Sequence, residues 1–181
     1  MSNKFKAKKN RPDLPPPAPV KKRLWHYTET RELAKIIESG AITVTPMGGN
    51  PDRKEFPAVW LSANADFEQA ARKPIRDRET GAVCLYATRE QMFQAGFPPV
   101  RIEIITAEVR AYDWNTYKKI SGMSEDAAAG LEKAGIEKGA DPLEWYASMQ
   151  PIPLIGGCKF PIEIWNGRQW VDIERARPES R

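Results

Sequence analysis

The sequence has little of what most catalytic and metal centres are made from. His26 is the only histidine in 181 residues, and the only cysteines are Cys84 and Cys158. A conventional zinc site would have to be improvised from carboxylates. Two thiols are too few for a disulfide scaffold and fit a reducing compartment. Cys84 lies inside the apolar run AVCLY and is expected in the core, while Cys158 follows two glycines and has no assigned role. Phosphate-cradling loops are missing as well. There is no GxGxxG or GxxxxGK, and the glycine-rich MGGNP lacks the following helix that a nucleotide loop requires. No GxSxG elbow occurs. No run reaches the roughly 18 apolar residues needed to span a bilayer, and the first twenty residues lack the apolar stretch of a secretory signal. A cytoplasmic protein without a membrane segment is expected.

Charge is present in both signs, with 28 Lys and Arg against 24 Asp and Glu, giving +4. The excess is local. Eight basic residues and one acidic residue precede Leu24, and four of the five residues from Pro15 to Pro19 are proline. Such a segment forms neither ladder nor helix, so residues 1–22 are expected to be a disordered basic tail and residues 23–181 a single domain. The tail can contact an acidic surface, including nucleic-acid phosphates, or serve only as a solubilising leader. The sequence leaves the oligomeric state unspecified.

Patterning then predicts the elements. LWHYT reads as a strand, followed by a helix capped by Thr28 or Thr30, with Leu33, Ile36 and Ile37 on one face and Gly40 as its left-handed terminator. AITVT begins as a short strand and passes into a Gly/Pro-rich loop over residues 44–57. AVWLS is a strand, after which Asn64 is expected to cap a helix with Phe67, Ala70 and Ala71 inward and Glu68, Gln69, Arg72 and Lys73 on a solvated face. AVCLY is another strand. Thr88 with Gln91 forms a capping box for a helix ending at Gly96. VRIEIIT alternates strictly, valine and isoleucines one way, Arg101 and Glu103 the other. Residues 113–138 read as two helices around Gly122. Asn166-Gly167 between alternating runs predicts a two-residue type I′ hairpin. Short strands mixed with short helices and closed by a hairpin predict an α+β fold, a mixed, mainly antiparallel split sheet core with short helices, rather than a doubly wound parallel sheet.

Any imidazole chemistry must use His26, although a strand histidine flanked by Leu24 and Thr28 is also a natural core residue. Trp25 and Tyr27 point the other way and read first as structural. Trp60 and Ser62 share a strand face and either pack in the core or line a cleft. The alternation of Glu144, Tyr146, Ser148 and Gln150 sends four polar side chains to one face, and Gln150 precedes Pro151, where a strand must leave a sheet or run along its edge.

Three pieces taken in order resemble the ADP-ribosyltransferase-like superfamily of transferase and toxin domains. LWHYTETRELAKIIESGAI is similar to its first motif, a histidine on the first core strand before a helix ending in "sG". AVWLSANADFEQAARKP is similar to its second, an aromatic residue and a small hydroxyl residue on a strand followed by a helix that backs the pocket. EWYASMQPIP stands where the third, glutamate-bearing strand is expected. The resemblance implies an ADP-ribosyltransferase-like fold that binds NAD and transfers ADP-ribose to a protein or nucleic-acid acceptor. It implies that His26 holds a ribose hydroxyl, that Trp60 stacks on nicotinamide with Ser62 beside it, and that Tyr27 and Tyr146 belong to the cofactor site. Three departures stand out. The first motif reads His-Tyr rather than His-Gly, Trp60 replaces the commoner tyrosine, and Gln150 occupies the place nearest the catalytic glutamate. Glu144 and Glu163 are the alternative carboxylates. With glutamine in that place the domain can instead be a catalytically inactive nucleotide- or macromolecule-binding domain.

Overall fold

Strict alternation in Pro99–Ile104 (β6) turns Val100, Ile102 and Ile104 into one fully buried row, and this strand lies at the heart of the protein. Its neighbour is Leu24–Glu29 (β1), paired antiparallel over its whole length from Leu24 opposite Ile104 to Glu29 opposite Pro99. The computed structural model describes residues 16–17, 20, 22–45, 56–77, 79–105, 107, 109–154 and 160–173. Most of the basic tail, most of the 44–57 loop and Cys158 lie outside them.

Seven strands form the main sheet. On one side of β1 and β6 lie Ile162–Trp165 (β10) and Trp170–Asp172 (β11). On the other lie Val59–Ser62 (β3), Trp145–Ser148 (β8) and Tyr112–Asp113 (β7). The spatial order is β11-β10-β6-β1-β3-β8-β7, and each of its pairings is antiparallel. The fold is therefore α+β with a mainly antiparallel sheet and short helices, as the patterning predicts. Two small two-stranded sheets accompany it: Ala41–Ile42 (β2) with Ile152–Pro153 (β9), and the hairpin of Pro74–Arg76 (β4) with Val83–Tyr86 (β5).

Each sheet face has its own core. Leu24, Val59, Leu61, Val100, Ile102 and Ile104 meet Leu33 of helix Thr30–Ser39 (α1) and the β2–β9 pair. The opposite face carries an aromatic cluster in which Trp114 and Tyr117 of helix Trp114–Ile120 (α3) pack against Trp145 and Ala147, with Ala128 of helix Glu125–Ile136 (α4). A smaller cluster joins Phe67 and Ala87 to Met92 of helix Arg89–Gln94 (α2). Each fully buried aliphatic side chain contributes about 1.5–3 kcal/mol of transfer free energy. Among the described residues no helix is long and apolar enough to cross a membrane.

The Thr88–Gln91 capping box forms in full, and Gly40 takes the left-handed conformation at φ 69° that ends α1. Five local expectations are corrected. Neither Thr28 nor Thr30 caps α1, because β1 runs straight into the helix and extended Glu29 occupies the cap position without a side-chain bond. Ile37 is 58% exposed, since α1 buries only a narrow stripe around Leu33. Cys84 is exposed, because the β4–β5 pair stands apart from the main sheet.

The helix expected after Asn64 shrinks to a single 3-10 turn at Gln69–Ala71. The Asn64 carboxamide oxygen accepts from the amides of Asp66 and Phe67, making a turn where a helical cap was expected. The terminal hairpin is real, but Trp165 pairs with Trp170, so its loop is Asn166–Gln169 rather than two residues. Type I′ needs positive φ at both central residues, and only Gly167 has it, at φ 93°. Asn166 instead accepts from the amides of Arg168 and Gln169 through its side chain.

Candidate functional site

The sheet opens where β1 leaves β3. Only Trp25 opposite Ser62 pairs in register between these strands, and beyond that point they diverge. His26 bridges the gap: its Nδ1 lies 2.9 Å from the Trp60 carbonyl. A carbonyl only accepts, so Nδ1 carries the proton and the neutral ring presents Nε2 as an acceptor. Burial pushes the imidazole pKa below its ordinary value, outweighing the Trp60 carbonyl, which favours the cation; nearby Lys73 adds to the depression.

Above the divergence lies a cavity of about 360 Å³. Trp25, His26, Trp60 and Ser62 supply its sheet side; Leu131, Ala134, Gly135 and Lys138, from α4 and the turn after it, supply the opposite side. Trp114 and Trp145 close it with aromatic surface, and Glu68, Ala70 and Ala71 border it from the short turn. The walls hold each other by ring contacts. Trp60 meets Tyr117 edge-on at 5.3 Å, and Trp114 meets Trp145 edge-on at 5.5 Å. A largely apolar hollow with a few convergent polar groups is the usual form of a small-molecule site.

One of those polar groups was not singled out by the sequence. Glu68, expected on a solvated helix face, is buried on the cavity wall. Ser62 Oγ donates to its Oε2 at 2.6 Å, while the Ala70 amide and the Trp145 indole N–H donate to its Oε1 at 2.9 and 3.2 Å. The failure of the helix is what turns it inward. The spacing of Ser62 and Glu68, a strand-end hydroxyl six residues before a carboxylate, was the available signal, but the helical pattern across Phe67, Ala70 and Ala71 concealed it.

His26, Trp60, Ser62 and Tyr27 all line the cavity. The Tyr27 hydroxyl is committed elsewhere, donating to the Asn64 carbonyl at 2.6 Å, and burial pushes its pKa well above the ordinary phenol value. The third stretch does not converge with the first two as a catalytic strand would. Trp145 is its contribution to the cavity wall. Tyr146 packs against the apolar cluster on the opposite face of the sheet, so alternation carries it away from the cavity. Ser148 is buried, its hydroxyl donating to the Gln150 carbonyl at 2.9 Å, whereas Gln150 itself is exposed beyond the end of β8 and is not part of the wall. Glu144 sits in the 3-10 turn Pro142–Glu144 before β8 and accepts from the Asn64 carboxamide at 2.9 Å. Glu163 pairs with Arg101 at 2.6 Å on the far side of β1. Neither carboxylate lines the cavity. The expected polar face from Glu144 to Gln150 therefore does not exist as a single surface.

Trp25 adds a second polar feature. It is 5% exposed, lines the cavity, and its indole N–H has no hydrogen-bond acceptor among the described residues. No group of three or more His, Cys, Asp or Glu suited to a metal ion gathers among the described residues. Compared with protein-family models, with curated proteins and with solved structures, the chain matches none.

Proposed function

We propose that the cavity binds NAD, nicotinamide end first, and that the domain transfers ADP-ribose to a protein or nucleic-acid acceptor on an ADP-ribosyltransferase-like fold. The observation that carries this is the meeting of His26, Trp60 and the buried Glu68 on one aromatic-walled cavity. The volume suits a nicotinamide ring with its ribose, and the remainder of the dinucleotide would extend through the open side. Trp60 offers an aromatic face to the pyridinium, an attraction of about 1 kcal/mol or more when desolvated. The free Nε2 of His26 accepts from a ribose hydroxyl.

In the transfer the bond between the anomeric carbon and the nicotinamide nitrogen breaks, and its electron pair leaves with neutral nicotinamide. Positive charge develops on the ribose. A nucleophile of the acceptor forms the new bond to the anomeric carbon and releases its proton to solvent. A carboxylate bonded to a ribose hydroxyl strengthens as that charge grows. Glu68 takes this role in place of Gln150. Its three internal donors leave room for one more on a group with about four acceptor positions.

That same crowding favours a second reading, a domain that binds the nucleotide without turning it over. Nicotinamide release by the full chain separates the two. Release above the uncatalysed background, lost in folded His26→Ala and Glu68→Gln variants, supports transfer. Saturable NAD binding with background release supports the silent domain, and absence of saturable binding contradicts both.

A further inference from the structure

Lys138 is a cation on the cavity wall with no counterion among the described residues. It follows α4 in a turn closed by Gly139 at φ 89°, and its backbone is held from below: Arg72 donates to the Lys138 carbonyl at 3.3 Å and also to the carbonyls of Tyr86 and Ala87. The Lys138 ammonium lies 4.2 Å from the centre of the Tyr86 ring and makes no ion pair among the described residues. Glu68, which also lines the cavity, is more than a salt-bridge length away and already accepts from Ser62, Ala70 and Trp145. The other charges around Lys138 are repulsive. Burial lowers its pKa first, Arg72 and Lys73 lower it further, and Glu68 opposes them.

Holding an ammonium in a mostly apolar wall beside two further cations costs free energy unless an anion completes it. From the cavity geometry we infer that Lys138 forms an anion subsite that takes a phosphate of the bound nucleotide. This rests on the nucleotide reading of the cavity and adds a division of labour to it. The aromatic end, with His26 and Trp60, takes the base and its ribose, and the Lys138 end takes the phosphates.

The division is tested by comparing NAD with nicotinamide riboside, which shares the ring and ribose but has no phosphate. Both affinities are measured on the full chain by calorimetry, for the wild type and for Lys138→Met and Lys138→Arg, each checked for an unchanged thermal midpoint. In Lys138→Met, NAD affinity is expected to fall about tenfold or more, the loss of one charge-assisted contact, with riboside affinity unchanged. Lys138→Arg retains most NAD affinity. Inorganic diphosphate competes with NAD in the wild type and ceases to compete in Lys138→Met. Equal loss for both ligands, or no loss for either, overturns the phosphate role while leaving nucleotide binding intact. If the wild type binds neither ligand, the nucleotide reading itself fails, and the subsite with it.

Discussion

The Ser62 hydroxyl donates a 2.6 Å hydrogen bond to the Glu68 carboxylate, and both side chains are buried, at 1% and 7% exposure. This bond holds the Glu68 carboxyl on the wall of the cavity, in a stretch that forms a single 3-10 turn where a longer helix was expected. Ser62→Ala leaves one carboxylate oxygen without its donor. A stability loss of about 1–3 kcal/mol is expected, measured by urea unfolding. A loss under about 0.5 kcal/mol would show that the bond is replaceable by water.

His26 makes stability depend on pH. Its pKa in the folded state is depressed by burial and by Lys73, against the Trp60 carbonyl, whereas in the unfolded chain it lies near the ordinary value of about 6.5. Below that value the unfolded state binds the proton first, so stability falls as pH drops towards the folded pKa and is unaffected by this group above neutrality. Unfolding midpoints between pH 7.5 and about 5, compared with those of His26→Gln, should differ in slope, with the wild type steeper. Parallel profiles would mean that the imidazole is not buried as described.

Gly135 and Gly130 on α4 predict opposite outcomes. A methyl group at Gly135 would stand 2.4 Å from the Trp145 ring, so the indole has to move. Gly135→Ala should destabilise by about 1–3 kcal/mol despite its helix-propensity gain, and should weaken any ligand of the cavity. Gly130 has nothing within 4 Å of the added atom. Gly130→Ala should stabilise by about 0.4–1 kcal/mol and leave binding alone. Thermal unfolding of the pair checks both signs.

Trp60 and Tyr146 separate the two faces of the sheet. Trp60→Ala should reduce NAD affinity about tenfold or more, Trp60→Phe should preserve most of it, and Tyr146→Phe should have no effect, since Tyr146 packs on the opposite face. Calorimetric titration of the three variants reads this directly. A response to Tyr146→Phe equal to that of Trp60→Ala would move the site to the other face.

The sequence announced elements whose signal is local. Alternation from Val100 to Ile104 defined β6, and Thr88 with Gln91 defined the start of α2. Strand periodicity put Trp60 and Ser62 on one face but left core and cleft open for them and for His26; all three line the cavity. The misreadings arose where one polar side chain reaches across the fold. Asn64 reads equally well as a helix cap and as the turn it makes, and only the burial of Glu68 by Ser62 and Trp145 decides between them. Glu144 to Gln150 alternates as a strand on paper, yet the strand is only Trp145–Ser148, so its two ends leave the plane before Glu144 or Gln150 can reach the cavity. Asn166-Gly167 carried a correct hairpin signal with the wrong loop length, since the Trp165–Trp170 pair sets the register and Asn166 stays at negative φ.

The most direct measurement is a calorimetric titration of NAD into the full chain, repeated in the presence of free nicotinamide. Saturable binding at one site, weakened by nicotinamide in competition and by Trp60→Ala, is the expected result. Heat that never saturates up to millimolar NAD, or binding indifferent to both nicotinamide and Trp60, would contradict a nucleotide held against the indole where β1 and β3 part.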